Sequence, residues 1–289
     1  MNILRQASVN SMIAAGMLVV LITAGIDLSV GSNCALATCV MGVLMKSGVQ
    51  NPILLILSCL LTGVVIGYLN GFLLTELDLP HPFVSTMGMK SITRGLALLV
   101  TMSIPIGNFP VPVQFLGASN IPLGTTRFPV SFLLVLAIFF LFHIFLNKTE
   151  LGRQIYCVGG NPEAARLSGV HSKRVLKFVY TLSGLMAALG GLLLVGRVNS
   201  AIPLAGETFD NDAIASCIIG GASFMGGKGT IWGTLIGSLL ITVIRNGLNL
   251  IGASADLQQI VIGMVIILAV FIDVLRVKLE DKARRLATV

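Results

Sequence analysis

The residues able to do chemistry are few. Asp27 stands in GIDLSVG (25–31), at the end of an apolar run. An acid close to membrane depth marks a functional position, yet Asp27 equally fits a cap on the next helix from the aqueous boundary, with Ser29 assisting. Glu207, Asp210 and Asp212 cluster ahead of a short apolar stretch near 213–222 that ends in glycines. Such acids either line a polar path or stabilise the positive end of a helix dipole. Asn70, in the Asn-Gly closing GVVIGYLNG (63–71), joins Asp27, Ser29, Asp210 and Asp212 as a candidate for such a path. His81, His143 and His171 fall in separate segments and are assigned no role. Of the cysteines, Cys34, Cys39, Cys59 and Cys217 sit in apolar runs, where the thiol packs as a small hydrophobe; Cys157 is the exception. HExxH, GxSxG, CxxC and a strand-to-helix GxGxxG are all missing from the sequence, so its chemistry is not that of the common hydrolases or redox enzymes. GGASFMGGKGT (220–230) imitates a phosphate loop, but Gly229 follows Lys228 where Ser or Thr belongs, and Ala222 replaces the first glycine. The expectation is a chain that is not an enzyme and binds no metal, cofactor or nucleotide itself.

The elements that hold these residues are hydrophobic. The 289-residue chain is 55% hydrophobic and 11% charged, with a mean hydropathy of +0.95. Soluble domains carry roughly 25% charged residues, and several runs here approach the ~20 apolar residues that cross a bilayer as helix. The fold class is all-α, a polytopic transmembrane bundle. The net charge of +7 does not point to nucleic acid, because no soluble module offers a basic face. The cations gather instead at 148–177 and in the tail at Arg276, Lys278, Lys282, Arg284 and Arg285, the mark of cytoplasmic segments.

About nine spans are expected, some short or broken. They run near 8–26, 32–45, 52–75, 83–102, 129–146, 178–196, 213–222, 231–251 and 257–272. Gly63, Gly67 and Gly71, and again Gly233 and Gly237, form small-xxx-small stripes for close helix packing. Lys90 and Arg94 make the fourth span polar; they line a path or snorkel to headgroups. Residues 104–128, with Pro105, Pro110, Pro112 and Pro122, read as an extended or turn-rich loop. Keeping both basic regions on one side requires an even number of spans between them, so 213–222 counts as a short or unwound one, lining a cavity or buried. GVVIGYLNG (63–71) faintly matches GTLIGSLLITVIRNG (233–247), and chance accounts for the match equally well.

The interval 147–177 contains a short helix with both ends marked. Asn161 caps it, Pro162 fits its first position, Glu163 faces the dipole, Ala164 and Ala165 favour helix, and Gly169 supplies a left-handed stop. Fewer than ten residues make little helix alone, so this one rests on the bundle or on a partner.

GIDLSVGS (25–32), LGRQIYCVGGNPEAARLSGV (151–170), DAIASCIIGGASFMGGKGTIWGTLIG (212–237) and NGLNLIG (246–252) together resemble the membrane permeases of ribose-type sugar ABC importers. The resemblance covers nearly the whole chain, in order. It implies a single permease domain, 1–289, with a cytoplasmic coupling loop at 148–177 and a cytoplasmic tail at 276–289, in the bacterial inner membrane. The implied partners are an ATP-binding subunit that carries ATP-Mg, a second copy or a similar permease, an extracytoplasmic sugar-binding protein, and membrane lipid. The EAAxxxG pattern of Glu163, Ala164, Ala165 and Gly169 is similar to that of coupling helices, so Gly159, Gly160, Asn161, Pro162, Glu163, Ala164, Ala165 and Gly169 are the expected ATPase-coupling residues. The 104–128 segment is then either a plain outer loop or a contact for the binding protein. Family members usually carry a further N-terminal helix, which would bring the spans to about ten and satisfy parity for the N-terminus; the expectation is a truncated or late-assigned start. An ion-coupled secondary transporter of a small polar solute is the alternative. It would press Asp27 or Asp212 into coupling and leaves the capped helix unexplained.

Overall fold

A computed structural model describes residues 2–77, 79–123 and 126–287, with the side chains of residues 123, 126, 276–278 and 280–287 outside that description. In chain order the elements are α1 (Asn2–Ile22), α2 (Val30–Lys46), α3 (Pro52–Glu76), α4 (Pro82–Thr101), β1 (Ile106–Gly107), α5 (Val111–Ala118), β2 (Asn120–Leu123), β3 (Thr126–Pro129), α6 (Val130–Lys148), α7 (Glu150–Gly160), α8 (Pro162–Leu167), α9 (Ser172–Val198), β4 (Ser200–Ala201), α10 (Phe209–Ile219), α11 (Ile231–Leu250) and α12 (Ala255–Ala287). Six of the helices, α1, α3, α6, α9, α11 and α12, are long and apolar enough to cross a membrane. The other three expected spans are also helical: α2 has 17 residues, α10 has 11, and α4 carries Lys90 and Arg94. The protein is an all-α polytopic membrane bundle.

One local device starts three of the helices. Asn51, His81 and Asn161 each precede a proline and accept backbone N–H groups of the first turn, at Ile53, Phe83 and Ala164. Proline costs nothing there, because its missing N–H would have had no helical partner.

The centre is the antiparallel pair α1 and α9. Gly16 lies on Ser183 and Met186, and Gly190 lies on Val9 and Ile13. From Ala7 onward α1 is buried all round, its apolar residues packed on every face and its Ser8, Asn10 and Ser11 hydrogen-bonded to Ser131, Ser216 and Ser238. α3 crosses α9 through a run of glycines: Gly63 on Gly184 and Ala188, Gly67 on Tyr180 and Gly184, Gly71 on Lys177. A Cβ at Gly67 would collide with the carbonyl of Tyr180, and one at Gly184 with that of Gly63, so these stripes pack helices as expected. Gly233 and Gly237 do the same against Gly220 and Ser216 of α10.

After α1 the chain folds back through 23–29, and α2 sets off from within the bundle, running parallel to α9 (Asp27 to Ser183, Cys34 to Gly191). After α9 the chain folds back through 199–208, and α10 sets off from within, parallel to α1 (Ser216 to Asn10, Cys217 to Ala14). The two half-helices begin in contact: Gly31 meets Gly206, whose φ of +70° only glycine adopts readily. The sequence α1–α2–α3–α4 is thus answered, upside down, by α9–α10–α11–α12. The faint match of 63–71 with 233–247 falls on α3 and α11, which hold the same place in each half. Inverted halves with discontinuous helices meeting at mid-depth are a common transporter architecture.

The elements depart from the sequence-based expectations, or add to them, at four places. Residues 104–128 are not simply extended: α5 forms there with Pro112 in its first turn, and Gly117 packs on Leu193 and Gly196 of α9. β1 pairs with β4, and β2 with β3 makes a hairpin. α9 begins at Ser172, so Lys173, Arg174 and Lys177 belong to its first turns and not to a loop. α7 was not foreseen; Thr149 caps it by accepting from Gly152 N, 3.0 Å. Finally, 276–287 continues α12 without a break, since Lys, Leu, Glu, Ala and Arg all favour helix and no glycine or proline stops it. The basic side chains of that tail, Arg276, Lys278, Lys282, Arg284 and Arg285, lie outside the described residues.

Candidate functional site

The structure divides the expected polar-path residues into two groups. In the first, Asp27 Oδ1 accepts from the backbone N–H and the hydroxyl of Ser29 (3.0 and 2.6 Å), and Oδ2 accepts from the Ser183 hydroxyl at 2.8 Å. Asn70 Nδ2 donates to Ser29 Oγ at 2.8 Å. All four side chains are buried, with Asp27 only 1% exposed. Asp27 does shape the entry to α2, but from inside the bundle, tying the fold-back to α3 and α9; the aqueous-boundary cap is corrected. An unwound segment has spare backbone groups, and these hydroxyls and amides are what satisfy its carboxylate.

In the second group, Asp210 and Asp212 open α10, and each meets a cation from another helix. Lys90 Nζ of α4 lies 2.6 Å from Asp210 Oδ2, and an Arg245 Nη of α11 lies 2.6 Å from Asp212 Oδ1. Arg245 also donates to Thr208 Oγ1 at 3.2 Å. Arg94 donates to the carbonyls of Pro203 and Ala205, 2.5 and 2.8 Å, pinning the second fold-back. Neither Lys90 nor Arg94 snorkels away: both are held by protein groups. Buried charge persists only where it is paired in this way.

Two polar hollows flank Arg245. One, of about 240 Å³, lies between α1, α9, α10 and α11, with Gln6, Asn10, Arg197, Asp212 and Arg245 in its wall. The other, of about 380 Å³, lies between α4, α10, α11 and α12, with Lys90, Glu207, Asn211, Arg245 and Gln259 in its wall. Asn10 Oδ1, Asp210 Oδ1 and Arg245 Nε are buried without a hydrogen-bond partner.

At the end of the bundle that carries the basic interval, α7 and α8 form a platform. Asn161 closes α7 and caps α8 (Ala164 N to Oδ1, 3.0 Å), and Gly169, at φ +83°, closes α8. Of the expected coupling residues, Gly160, Asn161, Pro162, Glu163, Ala164 and Gly169 are exposed, while Gly159 and Ala165 face the bundle. Gly159 sits against the Ile22 carbonyl and Gly227, and Gly227 N donates to that carbonyl at 2.8 Å. The Tyr156 hydroxyl donates to Gly229 O at 2.8 Å; burial pushes this phenol up, so it stays a donor. The platform therefore grips the chain just before the first fold-back and just after α10. Leu167, 79% exposed, is the apolar tip of α8.

Residues 1–270 match the family model described as the permease component of a branched-chain amino acid transport system. The chain belongs to this permease family. The permease is 41% identical to the ribose import permease protein RbsC of Bacillus subtilis, over 94% of this chain and 84% of the relative. It is 38% identical to the galactose/methyl galactoside import permease protein MglC of Salmonella typhimurium, over 95% and 86% of the two chains. It is 37% identical to the fructose import permease protein FrcC of Rhizobium meliloti, over 94% and 76%. No solved structure gives a significant match.

Within the permease, sequence reasoning singled out both members of the Lys90–Asp210 and Asn70–Ser29 contacts but missed the partners of Asp27 and Asp212. Ser183, Arg245 and Gln259 carry no local signal, because each lies in a run that reads simply as span. The ion pairs join residues far apart in the chain, Lys90 with Asp210 and Arg245 with Asp212. The one usable hint was polarity inside an apolar helix: an arginine at 245 needs a partner, and the acids before α10 were the nearest unmatched set.

Proposed function

We propose that this multi-pass membrane protein is the permease subunit of an ATP-driven importer for a monosaccharide. The observation that carries the reading is the agreement of its relatives. Three permeases at 37–41% identity, matched over nearly all of this chain, are named for import of ribose, galactose and fructose. The family's branched-chain amino acid label is broader than these whole-length matches, and the sugar reading is preferred for that reason. A transport subunit, not an enzyme, also suits a chain whose acids are bound up in structural pairs. Asp212 is committed to Arg245, which weakens the ion-coupled alternative.

In this reading the basic end lies in the cytoplasm of the bacterial inner membrane. α8 docks in a separate ATP-binding subunit, which holds ATP-Mg, and the opposite end receives sugar from a binding protein. A second permease copy completes the path. Movement of the ATPase pulls on Gly159–Gly169, and Gly159 passes it to Ile22, beside the first fold-back, and to Gly227, beyond the end of α10. Packed elements of this kind shift between discrete arrangements, and the ATPase biases which one is populated. The test is co-purification with the ATP-binding subunit. Wild type retains it, and Leu167→Asp, a change at an exposed position, loses it while the permease still inserts. Equal retention by both would remove α8 from the interface.

A further inference from the structure

The cleft between α4, α10, α11 and α12 has an unusual position for its chemistry. Lys90 lies nine residues into the 20-residue α4, about 12 Å from the basic end of a helix about 30 Å long. It is thus near mid-membrane, and its side chain is still 30% exposed. Asn211 and Gln259 are exposed beside it, and Glu207 borders the same cleft. Lipid-facing charge at the depth of Lys90 is costly, so the cleft beside it faces water or protein. The flanks are different: on the outer surfaces of α3, α6 and α12 the exposed residues are Leu57, Leu61, Phe140, Leu141, Ile267 and Leu268, a surface fit for lipid.

The cleft's charge also narrows what it can hold. Lys90 is matched by Asp210 and Arg245 by Asp212, leaving Glu207 as the further acid beside two neutral amides and the Thr208 hydroxyl. A phosphorylated or carboxylate solute would meet no spare cation among these groups. A neutral polyol meets what it needs, because amides and hydroxyls both donate and accept, as sugar hydroxyls do. Asp210 is 2% exposed, yet its Oδ1 has no partner, a buried acceptor left beside the cleft.

We propose that this cleft is the wall of the sugar path, and that Asn211 and Gln259 select among sugars as they pass, with the Lys90–Asp210 and Arg245–Asp212 pairs as its rigid floor. The proposal rests on the sugar-import reading. Arg245 separates the cleft from the second hollow by α1 and holds the half-helix α10 in place. A path that runs beside the start of a discontinuous helix moves whenever that helix does, which ties passage to the platform at the basic end.

The experiment uses the complete transporter in lipid vesicles, with Cys157→Ser as background because the other described cysteines are buried. Gln259→Cys and Asn211→Cys are each treated with the water-soluble thiol reagent MTSES, and ATP-dependent uptake of D-ribose, D-galactose and D-fructose is followed. The expected result is labelling of both positions and a fall in uptake of about ten-fold or more, reversed by dithiothreitol, with the ATPase still bound. Asn211→Ala and Gln259→Ala should change the ratio of uptake rates between sugars; an equal slowing of all three would mark a structural role and overturn the selection claim. Labelling by a membrane-soluble maleimide but not by MTSES would show a lipid-facing cleft and overturn the proposal, as would MTSES labelling that leaves uptake unchanged. Failure of the unmodified transporter to take up any sugar would instead defeat the functional reading, and the two reagents would still decide whether water lines the cleft.

Discussion

Asp212 and Arg245 show how one residue's partner decides its worth. Asp212 is 5% exposed and its carboxylate has the Arg245 guanidinium 2.6 Å away. Arg245→Met leaves that carboxylate buried and unpaired, and breaking such pairs costs about 3–5 kcal/mol. The expected result is a clear drop in Tm of the detergent-solubilised protein, with the double variant Arg245→Met, Asp212→Leu regaining much of it. An unchanged Tm for the single variant would mean that the pair is not formed. Ser183→Ala is gentler: Asp27 loses the donor on Oδ2, and leaving a buried acceptor unsatisfied costs about 1–3 kcal/mol. Thermal melting would read it, and Ser183→Thr, which keeps the hydroxyl, should lie closer to wild type. At this scale the sequence was legible by halves. Asp27, Ser29 and Asn70 were chosen separately and prove to be one cluster, because an acid and an amide are conspicuous inside apolar runs. Ser183 was invisible because a serine in a membrane helix is ordinary.

At the scale of elements, helix contact depends on glycine where backbones touch. A valine at Gly67 would drive its Cβ into the Tyr180 carbonyl, whereas Gly88 and Gly95 face open space. Gly67→Val should therefore abolish a monodisperse peak in size-exclusion chromatography, while Gly95→Ala should be neutral or slightly stabilising, since alanine favours helix by about 1 kcal/mol over glycine. Matching behaviour of the two variants would contradict the packing of α3 on α9. Most elements were readable: apolar runs located the spans, and acids followed by a glycine-ended stretch located α10 as a short one. What escaped was set by tertiary context. α5 forms because Gly117 finds Gly196, a contact across the molecule that outweighs a proline-rich composition. α7 escaped because Gly159 and Gly160 read as a loop, although Gly159 is there to let the Ile22 carbonyl approach.

The whole molecule is two inverted halves around α1 and α9, with a polar seam where α2 and α10 begin and a capped helix displayed at one end. Hydropathy reveals the bundle but not this inversion, because direction reversal leaves helix composition unchanged; only the Asn-Gly endings of α3 and α11 hinted at it. The two fold-backs give the bundle two places to bend, and the platform at the basic end holds the chain next to the first of them and just past α10, the helix that the second begins. The central claim, that these parts make a sugar importer driven by a separate ATPase, is tested most directly by reconstitution. The permease, its ATP-binding subunit and its sugar-binding protein are placed in vesicles, and uptake of radiolabelled D-ribose, D-galactose and D-fructose is measured with and without ATP-Mg. The account predicts accumulation of at least one sugar that requires ATP, the ATPase and the binding protein together. Uptake that persists without ATPase and follows an ion gradient, or ATP-driven uptake of branched-chain amino acids and no sugar, would contradict it.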